Sequence, residues 1–111
     1  IFEGFVAAEI IKRQMGSGRS KALYYFRDQQ GLEVDFIVST GNQQLLFIEA
    51  KASRTVTPAM AEPMERLAGA NTRYTIAKYL VHRESKENFP TTALKSGVKA
   101  LPVGQLASII K

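Results

Sequence analysis

The spacing of hydrophobic and polar positions changes between the first segment of the chain and its middle. At the start, apolar residues recur every three to four positions, which predicts a helix from Phe2 to about Gln14. The apolar runs that follow are short and are separated by turn-forming residues. They therefore predict three consecutive strands joined as an antiparallel meander. These strands are predicted over Ala22–Phe26, Leu32–Ser39 and Leu45–Ala52, with turns at 28–31 and 41–43.

The second half of the chain alternates between helical and extended patterns. Thr57-Pro58 is typical of a helix start and predicts a helix of roughly ten residues. Pro63 predicts that this helix is kinked or begins only near Pro63, because an interior proline removes a hydrogen bond. A helix between the third and fourth strands indicates a crossover. We therefore expect an α/β fold with a mixed sheet of about five strands flanked by helices, in the order αβββαββα. The remaining predicted elements are strands Thr75–Val81 and Val98–Val103, a polar loop at 84–90 and a closing helix at 104–110.

Composition narrows the classes of function that this single domain of 111 residues can have. Fifteen Lys and Arg against ten Asp and Glu give a net charge of +5, which favours a polyanionic partner such as nucleic acid. The absence of cysteine excludes a disulfide framework, a thiolate metal site and a Cys nucleophile. No apolar run approaches the roughly 20 residues that cross a bilayer, so we expect a soluble, cytoplasmic protein without a membrane partner. The helical pattern already at Ile1 indicates a piece of a longer protein.

Charged side chains concentrate at one end of the predicted hairpin between the second and third strands. With residues 41–43 as a three-residue loop, Asp35 stands opposite Glu49. Lys51 projects from the same face two residues beyond Glu49. The same register places Ile37 opposite Phe47 and Glu33 opposite Lys51, with Leu32, Val34, Phe36 and Val38 on the other, apolar face.

Two facing carboxylates repel each other by up to about 1 kcal/mol, and a divalent cation offsets that repulsion. Mg²⁺, or Mn²⁺ in its place, takes one or two carboxylates, keeps several waters and accepts phosphate oxygens. Asp35 and Glu49 are therefore candidate metal ligands, and Lys51 is placed to position or deprotonate a water or to neutralise a phosphate. The alternative interpretation is an exposed strand end with an Asp35–Lys51 salt bridge.

Two other titratable residues bear on this site. Glu9 lies one helical turn beyond Phe5, so it projects from the apolar stripe and needs either a partner or a route to solvent. His82, the single histidine, has no second His or Cys with which to form a metal site. We expect His82 to be a surface or packing residue.

The motifs of this chain resemble those of known nuclease-like proteins. Asp35 followed by Glu49-Ala50-Lys51 after a hairpin, with an acidic residue on a preceding helix, resembles the PD-(D/E)XK signature of the restriction-endonuclease-like nucleases. A closer resemblance, over nearly the whole chain, is to the C-terminal domain of unknown function 4143 of prokaryotic AAA-type ATPases. It rests on four segments in order, Phe2–Val6, Leu23–Asp28, Glu33–Ile37 and Ile48–Ser53.

This resemblance implies a fold, a set of site residues and a missing neighbour. It implies one restriction-endonuclease-like domain over 1–111, with Asp35 and Glu49 as metal ligands and Lys51 as the catalytic lysine. It makes Glu9 the helical acidic residue, with Glu3, at the edge of the apolar stripe, as the second choice. It also implies an N-terminal ATPase module outside this chain, since no P-loop sequence occurs here.

The expected function is Mg²⁺- or Mn²⁺-dependent hydrolysis of DNA phosphodiester bonds. The alternative is a catalytically inactive nuclease-fold module that binds DNA, self-associates as a homo-oligomer or regulates the attached ATPase.

Overall fold

The structure, a computed structural model, describes residues 1–16, 23–27, 29, 33–53, 56–83, 92–95 and 97–110, with the backbone alone for 92–95. Within these residues the helices and strands are α1 Phe2–Gly16, β1 Leu23–Arg27, β2 Glu33–Gly41, β3 Gln44–Lys51, α2 Glu62–Gly69, β4 Thr75–His82, β5 Thr92–Lys95 and β6 Val98–Pro102. Short 3₁₀ helices at Pro58–Ala61 and Val103–Ser108 precede α2 and follow β6. The predicted loop at 84–90 and the predicted turn at 28–31, apart from Gln29, lie outside the described residues.

The strands form one mixed sheet in the order β1-β2-β3-β4-β6-β5. β1, β2 and β3 pair as an antiparallel meander, whereas β4 pairs in parallel with both β3 and β6. The prediction of a mixed α/β sheet flanked by helices is therefore confirmed. The four-residue β5, antiparallel to β6, was not predicted. A strand this short offers too few positions for a period of two to be recognised.

Helices cover both faces of the sheet and create two separate cores. On one face, Val6 and Ile10 of α1 pack with the C-terminal 3₁₀ helix against the sheet. On the other face, Met64 and Leu67 of α2 pack against the strands around Phe47. The first core also contains Phe36, Val38, Leu46, Ile48, Val81, Leu101, Leu106 and Ile110, and the second contains Val34, Ala61, Leu80 and Val98.

The helices differ from the predicted ones mainly at their ends. The helix predicted from Thr57-Pro58 starts as a 3₁₀ turn, and α2 begins at Glu62 with Pro63 in its second position. Proline is tolerated there because a first-turn N–H has no acceptor within the helix. The closing segment is 3₁₀ rather than α-helical. No helix among the described residues is long and apolar enough to span a membrane.

Candidate active site

The hairpin formed by β2 and β3 opens at the end that carries the charged residues. The ladder begins near the turn and includes the predicted pair Ile37–Phe47. It runs as far as Phe36–Ile48 and does not continue through the next predicted pair, Asp35–Glu49. The turn is tighter than predicted, because Gly41 already pairs with Gln44. The two strands therefore separate where their carboxyl groups begin.

A β-bulge in β2 lies at the point of this separation, since the β1–β2 ladder shifts register there. Across the β1–β2 ladder, Tyr24 pairs with Ile37 and Phe26 with Val34, so Tyr25 alone opposes the two residues Asp35 and Phe36. A bulge inserts one residue into a strand, bends it and changes the direction of its side chains.

The bulge overturns part of the face assignment made from the sequence. Val34 and Phe36 were predicted to share one apolar face, and this is wrong: Val34 packs in the core of α2 and Phe36 in the core of α1. The predicted pair Glu33–Lys51 is not part of the β2–β3 ladder, which ends at Phe36–Ile48. On the other side of β2, Glu33 pairs with Arg27 of β1, with 2.9 Å between Arg27 Nε and Glu33 Oε2.

The carboxyl groups of Asp35 and Glu49 bridge the gap between the separated strands. The backbone N–H of Asp35 donates to Glu49 Oε1 at 3.0 Å. The backbone N–H of Ala50 donates to Asp35 Oδ2 at 2.9 Å. Each side chain thus replaces a ladder hydrogen bond on the opposite strand. This exchange satisfies two partly buried backbone donors and fixes both carboxyl groups in one place.

Burial strongly perturbs the protonation of Glu49, which is only 6% exposed. Desolvation, followed by the neighbouring Asp35 carboxylate, raises the pKa of Glu49 from 4.5 to about 7. The hydrogen bond from the Asp35 backbone and the charge of Lys51 act in the opposite direction. Glu49 is therefore partly protonated at neutral pH when no cation stabilises its charge.

Lys51 places a positive charge beside this pair of carboxyl groups. Its Nζ lies 3.6 Å from Glu49 Oε2, and its side chain is 37% exposed, so it reaches both the carboxyl pair and solvent. The predicted gathering of Asp35, Glu49 and Lys51 is thus present in the structure. The contact joins Lys51 to Glu49, whereas the alternative interpretation paired Lys51 with Asp35.

The donor set fits a hard divalent cation. Two carboxylates that approach each other, with an amine beside them, match the one or two protein carboxylates by which Mg²⁺ is usually bound. Within the described ranges, no group of three His, Cys, Asp or Glu side chains is placed to hold one ion. Asp35 and Glu49 would therefore bind a cation whose remaining positions are left to water and substrate oxygens.

The structure places the two acidic residues of α1 on different sides of that helix. Glu3 lines a cavity of about 300 Å³ together with Asp35, Glu33 and Arg27. Glu9 does not line this cavity. Six residues separate the two glutamates, which corresponds to roughly 120° around the helix axis and about 9 Å along it. The geometry thus brings Glu3, the second choice from the sequence, to the Asp35 side of the molecule.

Two residues near the site were not recognised as site residues from the sequence. Tyr25 is 75% exposed and lines the same cavity as Asp35. His82 is buried and pairs with Lys51 across the parallel β3–β4 ladder, and its Nδ1 donates to the carbonyl oxygen of Arg83 at 2.9 Å. The consecutive tyrosines at 24 and 25 were a usable signal, since alternation cannot bury both on one face.

The chain matches a known protein family over most of its length. The family model described as Domain of unknown function (DUF4143) matches residues 1–106, and so includes every residue of the site. Neither the curated proteins nor the solved structures include a significant match to the chain.

Proposed function

Since the chain belongs to the DUF4143 family, we propose that it is a metal-dependent nuclease domain that hydrolyses DNA phosphodiester bonds with Mg²⁺ or Mn²⁺. The observation that carries the proposal is the bridged pair of Asp35 and Glu49 with Lys51 beside it. The mixed sheet flanked by helices is compatible with a restriction-endonuclease-like fold, which is part of the proposal. The net charge of +5 supports a polyanionic substrate.

Each residue of the group has a separate task in this proposal. Asp35 and Glu49 hold the cation, and their hydrogen bonds to the opposite strand keep the two carboxyl groups fixed. When bound, the ion supplies a Lewis acid that lowers the pKa of a coordinated water. Lys51, oriented by Glu49, neutralises charge that builds on the phosphate and donates to its oxygens.

A second candidate function is a nuclease-fold module without turnover. One observation favours this module. Among the described residues, no third acidic group is placed to hold one ion together with Asp35 and Glu49. Such a module would bind DNA, self-associate or regulate an attached ATPase. Both candidate functions include an N-terminal ATPase module and a cytoplasmic location as parts of the proposal.

Cleavage of supercoiled plasmid DNA separates the two candidates. We expect the purified chain to nick or linearise plasmid in Mg²⁺ or Mn²⁺ and to be inactive in EDTA. Asp35→Asn and Lys51→Met should each lower the rate by roughly 10²–10⁴-fold, because each removes a group that acts on the reacting atoms. Lys99→Met, which removes an exposed lysine from β6, is the matched control and should cleave normally. Absence of cleavage at every metal concentration would favour the second candidate.

The acidic residue on α1 can be assigned in the same assay. Glu3→Gln should slow cleavage if the residue beside Asp35 takes part, whereas Glu9→Gln should then leave the rate unchanged. The reverse result would support Glu9. Circular dichroism of each variant verifies that α1 is still folded.

Metal binding itself has a readout that does not depend on cleavage. A ligand that binds only the folded protein raises its stability by about 1.4 kcal/mol at ten times its Kd. We expect several millimolar Mn²⁺ to raise the melting temperature of the wild-type chain and not that of Asp35→Asn. An unchanged transition in the wild type would count against the metal site.

A further inference from the structure

Tyr25 is a large aromatic residue that the fold leaves in solvent beside the candidate site. It lies on β1, the outermost strand on that side of the described sheet. The next residue, Phe26, packs against the core of α2, so β1 is anchored there while the Tyr25 ring stays outside. The ring is 75% exposed, although burying an aromatic side chain of this size is favourable by ~1.5–3 kcal/mol.

The position of Tyr25 is tied to the site by the bulge in β2. Tyr25 is the residue of β1 that opposes Asp35 and Phe36. Adjacent strands lie about 4.8 Å apart, so the backbone of Tyr25 is one strand away from a candidate metal ligand. Its side chain and that of Asp35 line the same cavity of about 300 Å³. This volume is at the lower end of the range for small-ligand pockets and corresponds to one nucleotide rather than a duplex.

The charges around the cavity indicate which part of a nucleotide enters it. Among the described residues that line the cavity, three are acidic, namely Glu3, Glu33 and Asp35, and one, Arg27, is basic. With a cation on Asp35, the acidic part of the cavity that remains is lined by Glu3 and Glu33. Their carboxylates repel a phosphate but accept hydrogen bonds from the exocyclic amino groups of a base. Glu33 binds Arg27 Nε and so orients the guanidinium, whose other N–H groups remain able to donate to a phosphate at the cavity rim.

We propose that Tyr25 is a platform on which an unpaired base next to the scissile phosphate stacks, with Arg27 bound to the flanking phosphate. A base can present its face to an aromatic ring only when it has left its own stack. The substrate class is therefore single-stranded nucleic acid or an unpaired end, in preference to continuous duplex. This inference rests on the proposed function, because it takes the Asp35 and Glu49 pair as the place where the phosphate is cleaved.

Fluorescence anisotropy with a labelled 12-nucleotide DNA single strand and the corresponding blunt duplex tests the proposal. The titration is made in Ca²⁺, chosen as a divalent ion to permit binding without cleavage. We expect the single strand to bind more tightly than the duplex. Tyr25→Ala should weaken single-strand binding by roughly 5- to 150-fold, which is ~1–3 kcal/mol of stacking at 1.4 kcal/mol per tenfold.

Two variants test whether the effect of Tyr25→Ala comes from the loss of base stacking or from the loss of any exposed tyrosine side chain. Tyr25→Phe keeps the ring and should bind within about threefold of wild type, since stacking needs the π face and not the hydroxyl. Tyr74→Ala removes another exposed tyrosine, 42% accessible and located in the turn before β4, and should bind as wild type. Equal affinity of Tyr25→Ala and wild type for the single strand would overturn the proposal.

Other outcomes separate this inference from the proposed function. If Tyr25→Ala loses single-strand binding but the wild-type chain cleaves no DNA, the stacking site stands and the nuclease proposal fails. If the wild type cleaves DNA and Tyr25→Ala cleaves single strands at the same rate, the stacking site fails alone. Sedimentation of the wild type and of Tyr25→Ala tests the alternative that Tyr25 belongs to a dimer contact. A wild-type dimer that Tyr25→Ala dissociates would overturn the proposal in favour of strand pairing between two copies at β1.

Discussion

Glu49→Gln tests how the two carboxyl groups are held together between β2 and β3. The amide keeps the size of the side chain, and its oxygen can still accept the hydrogen bond that the backbone N–H of Asp35 donates to Glu49 Oε1. Its NH₂ group can in addition donate to the Asp35 carboxylate. A repulsive contact between two charges therefore becomes an attractive one. We expect the Glu49→Gln variant to be more stable than the wild type above neutral pH when both proteins are free of metal.

The magnitude follows from the pKa of Glu49, which burial and Asp35 raise from 4.5 to about 7. Between these two values the folded protein holds a proton that the unfolded chain has already released. The free energy of unfolding therefore falls as the pH rises through this window, and it levels off above the folded-state pKa. At about 1.4 kcal/mol per pKa unit, wild type loses about 3 kcal/mol between pH 4.5 and pH 8 relative to Glu49→Gln, which has no such proton.

Urea unfolding followed by circular dichroism measures this difference, with EDTA present to exclude divalent ions. Wild type and Glu49→Gln are compared at several values between about pH 4.5 and pH 8. Glu62→Gln, at the exposed start of α2, is the control for loss of one negative charge and should change stability by less than ~1 kcal/mol throughout. Parallel pH profiles for wild type and Glu49→Gln would refute the reasoning, because they would mean that folding does not perturb this carboxyl group.

Three further substitutions test the packing and backbone of the fold, each by urea unfolding at neutral pH. Phe47→Ala should cost about 3–5 kcal/mol, because the ring is buried against α2, and a loss below about 1 kcal/mol would contradict that packing. Arg27→Met should cost less than about 1 kcal/mol, since its ion pair with Glu33 is exposed, and a larger loss would show that the pair has a structural role. Gly97→Ala should cost about 1–2 kcal/mol, because Gly97 has a φ of +82° and an added Cβ would lie 3.2 Å from Lys78 Nζ. A neutral effect on stability would contradict that backbone conformation.

Much of the fold could be predicted from local patterns because helices and strands differ in period. The spacing of Val6 and Ile10 indicated α1, and the short apolar runs indicated the meander and two later strands. The pair Ile37–Phe47 was predicted from a three-residue turn, and it is present although the turn is tighter, because a register shift between Ser39 and Gly41 restores the pairing. The unpredicted strand β5 was too short to carry a period of its own.

The site was predictable as a set of residue types and not as a geometry. The sequence determined that Asp35, Glu49 and Lys51 converge near the open end of one hairpin. The tertiary structure shows that a bulge lies opposite Tyr25 where the strands separate, that Glu49 is buried, and that Glu3 rather than Glu9 lines a cavity with Asp35. The prediction of faces and pairs from the period of two assumes that the hydrogen-bond ladder between the strands is unbroken. A bulge inserts one residue without a local mark, and burial depends on elements that are distant along the chain.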